Sequence, residues 1–205
     1  DRGPMGAPNA FAGIAPEQTT QLDIGLQYRS ARLDAWVSAY AGRIDDYILF
    51  SYMSGGMMGM MSSVANVDAR VRGAEAGVEV RPREGWKLGA TLAHAWGEVR
   101  HGGALPQMPP LEARLTAAYE GPRWSAGVLL RAVAGQDRVA LDQGNVVGRD
   151  LGPSAGFATL ALNGGYRFND QVRLIAGIDN VFDRTDSEHL NLSGSADFGY
   201  PADPV

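Results

Sequence analysis

Side-chain polarity alternates with a period of two along most of this chain, and that alternation restricts it to β-strands that have one apolar and one polar face. Leu22, Ile24, Leu26 and Tyr28 alternate with Gln21, Asp23, Gly25 and Gln27. Ala74, Ala76, Val78 and Val80 alternate with Glu75, Gly77, Glu79 and Arg81. The same pattern runs through Trp86–Ala93, Leu111–Glu120, Trp124–Arg131, Thr159–Phe168 and Val172–Asp179. The stretch Leu33–Tyr52 is strand-like too, with its alternation blurred between Tyr40 and Ile44. The helical period of 3.6 fails almost everywhere.

A soluble sandwich also alternates, because one face meets its core and the other meets water. Two features separate the cases. Several strands exceed the ~5–6 residues usual in globular sheets and approach the ~9–11 that a transmembrane β-strand needs. The connections also alternate in length. Short ones lie at Arg29–Arg32, Pro82–Gly85, Glu120–Arg123 and Asn169–Gln171, and long ones at Met53–Asn66, His101–Pro110 and Gln136–Gly156. Short turns at one end and long loops at the other are the layout of an outer-membrane barrel. Tyr28, Trp86, Tyr119, Trp124, Tyr166 and Phe168 all lie beside short turns, as an interfacial aromatic girdle would. The expected fold is therefore all-β: an antiparallel up-and-down meander of about eight strands.

Both ends of the chain fall on the long-loop side of this meander. That placement, with an inner face rich in Gly and charge, points to an arc of a larger barrel instead of a small closed one. No apolar run reaches the ~18 residues of a membrane helix, which does not bear on strands. A net charge of −5 argues against nucleic acid as a partner, since no basic stripe is present. The chain has no Cys, which removes disulfide frameworks, Cys-ligated zinc and thiol nucleophiles. Gly-x-Ser-x-Gly and phosphate-binding Gly motifs do not occur, and Ser62, Ser63, Ser154 and Ser187 lie outside any nucleophile elbow. No enzyme is expected, and no cofactor is required.

Asn180-Val181-Phe182-Asp183-Arg184 follows the strand that ends at Asp179, and Gly73-Ala74-Glu75-Ala76-Gly77-Val78-Glu79 precedes the turn at Arg83–Trp86. Leu105-Pro106-Gln107-Met108-Pro109-Pro110 precedes another strand, and Ala15-Pro16-Glu17-Gln18 opens the first. In this order and spacing the motifs resemble the C-terminal part of the barrel of TonB-dependent outer-membrane receptors. The resemblance implies a transmembrane barrel of about 22 strands, residues 1–205 supplying an arc of it, with the plug domain and the closing strand outside this chain. It implies residence in the outer membrane of a Gram-negative bacterium, the lipid bilayer and the plug domain of the same parent chain as partners, and coupling to the TonB complex through the missing N-terminal part. Asp186 departs from the pattern, where an aromatic often follows the Asn-Val-Phe-Asp-Arg motif. The tail Ser187–Asn191 and Phe198–Ala202 is similar to the copper-receptor branch, which makes copper the expected transported ligand. A ferric-siderophore receptor of the same family, a passive porin or a small closed barrel are the alternatives.

The chemistry on offer is soft-metal ligation. Met53, Met57, Met58, Met60 and Met61 crowd one predicted outer loop with Gly between them, and thioethers select Cu(I) over hard cations. An adaptable apolar loop has the same composition. His101 and Met108 share a second outer loop, His189 lies in a third, and none of the three His residues shows ligand spacing. His94 falls on the apolar parity of its strand. Asp23, Glu75, Glu79 and Asp179 fall on the inward parity, with Arg81, Arg131, Arg167 and Arg173 expected near the short turns and Arg131, Arg167 and Arg173 as contacts for plug carboxylates.

Overall fold

The computed structural model describes residues 13–54, 60–145, 148–185 and 188–190. Eight strands form one antiparallel meander: β1 (Gln18–Arg29), β2 (Leu33–Ser54), β3 (Met60–Val80), β4 (Trp86–Val99), β5 (Glu112–Glu120), β6 (Trp124–Val133), β8 (Phe157–Arg167) and β9 (Arg173–Ile178). They are hydrogen-bonded in chain order, and a two-residue strand, β7 (Gln143–Gly144), pairs with β2 off this path. No helix occurs among the described residues, as expected from the period of two.

Register fixes the faces. Leu22 opposes Ala41, Leu26 opposes Val37 and Tyr28 opposes Ala35, and that face continues through Ala74, Ala76 and Val78 of β3. On β4 it carries Leu88, Ala90, Leu92 and His94, and on β6 and β8 Val128, Leu130, Leu160 and Leu162. This apolar face is bare: Leu22 is 75% exposed and Ile24 72%. A sandwich would bury these side chains against a second sheet. No second sheet occurs among the described residues, and apolar exposure on this scale in a native chain calls for a cover of lipid or protein.

The short-turn end of that face carries the aromatics. The rings of Trp86 and Tyr119 lie 5.2 Å apart between centroids, and Trp124 and Tyr166 4.5 Å apart. Phe168 meets Tyr166 edge to face at 4.9 Å. Trp96 stands on the same face of β4, ten residues beyond Trp86. At ~3.3 Å per residue and a tilt of ~40°, the two indoles are separated by about 25 Å along the barrel axis, the height of the apolar band of an outer-membrane barrel.

On the opposite face β2 presents Asp34, Trp36, Ser38 and Tyr40 to Glu79, Gly77, Glu75 and Gly73 of β3. The blurred alternation of β2 has its cause here: Trp36 and Tyr40 are large aromatics on the polar face, and each lies over a glycine. At the short-turn end of this face, Arg81 bridges Asp34 at 2.6 Å and Glu79 at 2.5 Å.

The structure departs from the expected loops in one region. Met53–Asn66, read from sequence as a long loop, is largely strand. β2 runs to Ser54, and β3 starts at Met60. A bulge between Ile44 and Tyr47 shifts the register, and beyond it the hairpin rises above β1, whose pairing stops at Asp45. With both faces away from the apolar band, nothing in that stretch enforces alternation. The free upper edge of β2 is taken by β7, which pairs Gly144 with Phe50 and Gln143 with Ser51.

Candidate functional site

The polar face of β2 to β6 forms the floor of a cavity of about 460 Å³. Tyr40, Glu75, Ala93, Glu112, Arg131 and Val133 line it from the strands, and Pro109, Pro110, Glu188, His189 and Leu190 close it from the long-loop side. Arg131 centres an ion-paired cluster on that floor. Arg131 Nη2 donates to Glu112 Oε2 at 2.7 Å, Nη1 donates to Glu188 Oε1, and the guanidinium lies 5.2 Å from the centroid of Phe157. Arg131 opposes Arg114 on β5, near the long-loop ends of both strands. The expectation that it sits near the short turns is therefore corrected. Counting from Trp124 places it seven residues up β6, and two carboxylates of this chain already hold it. Arg173, by contrast, does lie near a short turn, where its Nη2 donates to Ser125 Oγ at 2.9 Å.

Behind the cavity three outer segments meet at Asp150. Its Oδ1 accepts from the backbone N–H of Gln107 at 2.8 Å, and its Oδ2 from that of Ala140 at 2.8 Å. His189 Nε2 lies 3.8 Å from Asp150 Oδ1, with the two side chains 3% and 2% exposed. His189 Nδ1 is 3.0 Å from Ser154 Oγ. A Ser, a His and an Asp are thus gathered, although nothing in the sequence pairs them. The geometry is that of a tether. The His–Asp separation exceeds hydrogen-bond reach, both carboxylate oxygens already accept backbone N–H groups, and the imidazole is shut away from solvent. The knot fastens the β4–β5 loop, the β6–β8 loop and the segment 188–190 to one another.

The thioether cluster lies elsewhere. Met53 is exposed at the top of β2, and the register sets it opposite Met61, with Ser54 opposite Met60. Met57 and Met58 lie outside the described residues. The register therefore brings Met53, Met60 and Met61 to one hairpin end. His101 is exposed on the turn after β4, whereas Met108 packs inward, where a Cβ on Gly97 would stand 2.5 Å from its sulfur. No group of three or more His, Cys, Asp or Glu arranged to hold a metal occurs among the described residues.

The family-like motif after β9 has a visible job. Asn180 is left-handed at φ 50°. Its Nδ2 donates to the Arg184 carbonyl at 2.7 Å, and its Oδ1 accepts from Arg184 N–H at 3.1 Å. Val181 N–H bonds back to the Leu160 carbonyl of β8 at 2.9 Å. Asn tolerates the αL conformation and supplies both side-chain bonds, so the motif folds into a stapled turn against the sheet. Asp186 and the tail 191–205 lie outside the described residues.

An open antiparallel meander with one bare apolar face, aromatics at the turn end and a charged inner face is a wall segment of a membrane barrel. Residues 2–181 match the family model described as TonB dependent receptor-like, beta-barrel, and the chain belongs to that family. Among solved structures it is similar to the copper transporter OprC, at 52% identity and a TM-score of 0.89 over 100% of this chain and 32% of that one. It also superposes on the ferric-catecholate import receptor Fiu from K12 E. coli, at 16% identity and a TM-score of 0.67, covering all of this chain and 28% of that one. The ferric enterobactin receptor PfeA from Pseudomonas aeruginosa aligns at 18% identity and a TM-score of 0.63, over 96% of this chain and 29% of that one. These last two likenesses concern the fold alone. The chain thus spans about a third of the length of such receptors. Comparison with curated proteins gives no match.

Proposed function

We propose that this chain is part of an outer-membrane receptor for copper uptake, energised through the TonB complex and gated by a plug domain elsewhere in the same polypeptide. The observation that carries the reading is the likeness to a copper transporter over the whole chain at 52% identity. The distribution of chemistry agrees with it. Transport needs no covalent step in this arc, and the Ser–His–Asp cluster seen among the described residues is a buried loop tether. The bare apolar face supplies the surface for a bilayer, and the inner cavity, largely apolar with an Arg131–Glu112–Glu188 ion-pair cluster in it, supplies a wall against which a plug can seat.

In this reading Met53, Met60 and Met61 at the hairpin end, with Met57 and Met58 between them in the sequence, capture Cu(I) at the outer mouth and pass it inward. Thioether sulfur is the soft donor such an ion prefers, and β2 and β3 hold the cluster clear of the rim. The test is copper accumulation in cells whose only copper receptor is the full-length protein. Replacing the five Met residues with Leu keeps bulk and removes the donors. An accumulation rate lowered several-fold at low external copper, with normal receptor abundance, is the expected result. Unchanged accumulation removes the hairpin from the mechanism, and uptake of a ferric chelate in place of copper overturns the reading of the cargo.

A further inference from the structure

His189 is held by one ring nitrogen only. Its Nδ1 lies 3.0 Å from Ser154 Oγ. Its Nε2 is buried and has no hydrogen-bond partner among the described residues. Asp150 Oδ1 stands 3.8 Å from that nitrogen, just beyond hydrogen-bond reach. Oδ1 already accepts the Gln107 N–H, but a carboxylate oxygen has a second lone pair to offer.

A neutral imidazole cannot satisfy both nitrogens here, because it carries one N–H. Either Nε2 aims that N–H at an oxygen out of reach, or it turns a bare lone pair toward a carboxylate. An imidazolium has two N–H groups. One serves Ser154 Oγ, and the other closes on Asp150 Oδ1 as a charge-assisted bond.

The charges around the ring favour the cation. The β6–β8 loop brings Asp150, and Arg149 beside it is turned to Asp142 and the ring of Tyr52. From β5 and β6 come Glu112 and Arg131, and from the segment itself Glu188, which shares Arg131 with Glu112. Glu75 of β3, Tyr40 of β2 and His94 of β4 border the same cavity, and the β4–β5 loop presents Pro109 and Pro110, which do not titrate. Tyr47 of β2 feels both Glu17 and Asp150. Carboxylates outnumber guanidiniums in this set. Carboxylates and guanidiniums keep their charge between about pH 5.5 and 8 and phenols titrate above it, whereas imidazole changes charge within it.

We propose that His189 is a proton-operated latch: protonation joins it to Asp150 and tightens the hold of segment 188–190 on the β6–β8 loop as the surroundings turn acidic. The proton enters from water when the segment opens locally. A group that gains a partner on protonation adds stability at low pH and loses it as the pH rises. At higher pH the segment stays attached through Glu188 and Arg131, so the latch sets how often this wall of the cavity opens. The inference holds for any cargo.

The test is hydrogen exchange of the full-length receptor in lipid nanodiscs between pH 5.5 and pH 8, corrected for the intrinsic pH dependence of amide exchange. Protection at residues 188–190 rises by roughly fivefold or more from the alkaline to the acidic end, while the strands keep a flat profile. H189Q keeps a donor for Ser154 and cannot titrate, and its profile is flat. D150N removes the counter-charge, and its profile flattens too. The double variant H94Q/H101Q keeps the slope. Heat-modifiable migration reads the folding of each variant, and if either H189Q or D150N fails to fold the other decides. A flat profile in the unaltered receptor, protection that falls with acidity, a slope that persists in H189Q or D150N, or one lost in H94Q/H101Q overturns the proposal.

Discussion

The indole of Trp36 lies across Gly77 of the neighbouring strand so closely that a Cβ there would stand 2.4 Å from its Nε1. Tyr40 covers Gly73 in the same way, with its Cε1 2.4 Å from the added atom. The two aromatics fill the volume that two absent side chains leave on the inner face of β3, and they set the β2–β3 pairing by shape.

Gly77→Val should therefore destabilise the full-length barrel by about 1–3 kcal/mol, the usual cost of overpacking. The indole must leave its place. Trp36→Ala in the same chain should restore part of that loss, because the two residues are in contact and their effects do not add. Urea titration followed by heat-modifiable migration reads both variants. Independent, additive losses would show that the contact does not control pairing.

Arg131 holds the segment 188–190 to the sheet through Glu188. Arg131→Gln should free that segment and leave Glu112 without its main partner, at a cost on the order of 2 kcal/mol. Hydrogen exchange at residues 188–190 should rise by tenfold or more while β4 and β5 keep their protection. Unchanged exchange would place the anchor with His189 alone.

Asp68 pairs with Arg100 at 3.0 Å above the apolar band. Hydrogen bonding from the Arg100 guanidinium, helped by a bond involving Asp46, holds the Asp68 carboxyl below its usual range. A lowered carboxyl contributes stability that is present above its ordinary value near pH 4 and is lost as pH falls through the lowered one. Arg100→Gln should return the Asp68 titration toward the ordinary carboxyl value, read by the ¹³C shift of labelled Asp. An unmoved titration would mean that the backbone bond alone sets it.

Brominated lipids quench indoles that touch the hydrocarbon border. In the full receptor, replacing Trp86, Trp96 or Trp124 with Phe should each remove quenchable emission, and replacing Trp36 should remove emission that the lipid never reached. Strong quenching of Trp36 would invert the assignment of faces.

The faces were readable from residue order because a period of two leaves no freedom: once Leu22 points out, Asp23 points in. The short turns were readable for a related reason, since Pro82-Arg83-Glu84-Gly85 and Gly121-Pro122-Arg123 break the alternation abruptly. The tall hairpin was not, because above the band both of its faces lack an apolar requirement. Nor was the meeting of Asp150, Ser154 and His189, which depends on how three loops fold over one another. Arg131 was misplaced for a simpler reason. Its parity was correct, but height along the strand carries no periodic mark.

Because β7 docks on β2, the excursion that begins at β6 lands beyond β5, β4 and β3 before returning to β8. It acts as a tie-rod laid across the mouth. The methionine hairpin and the loop that carries Asp150 cannot swing independently while that bridge holds, so a push on either is felt by both.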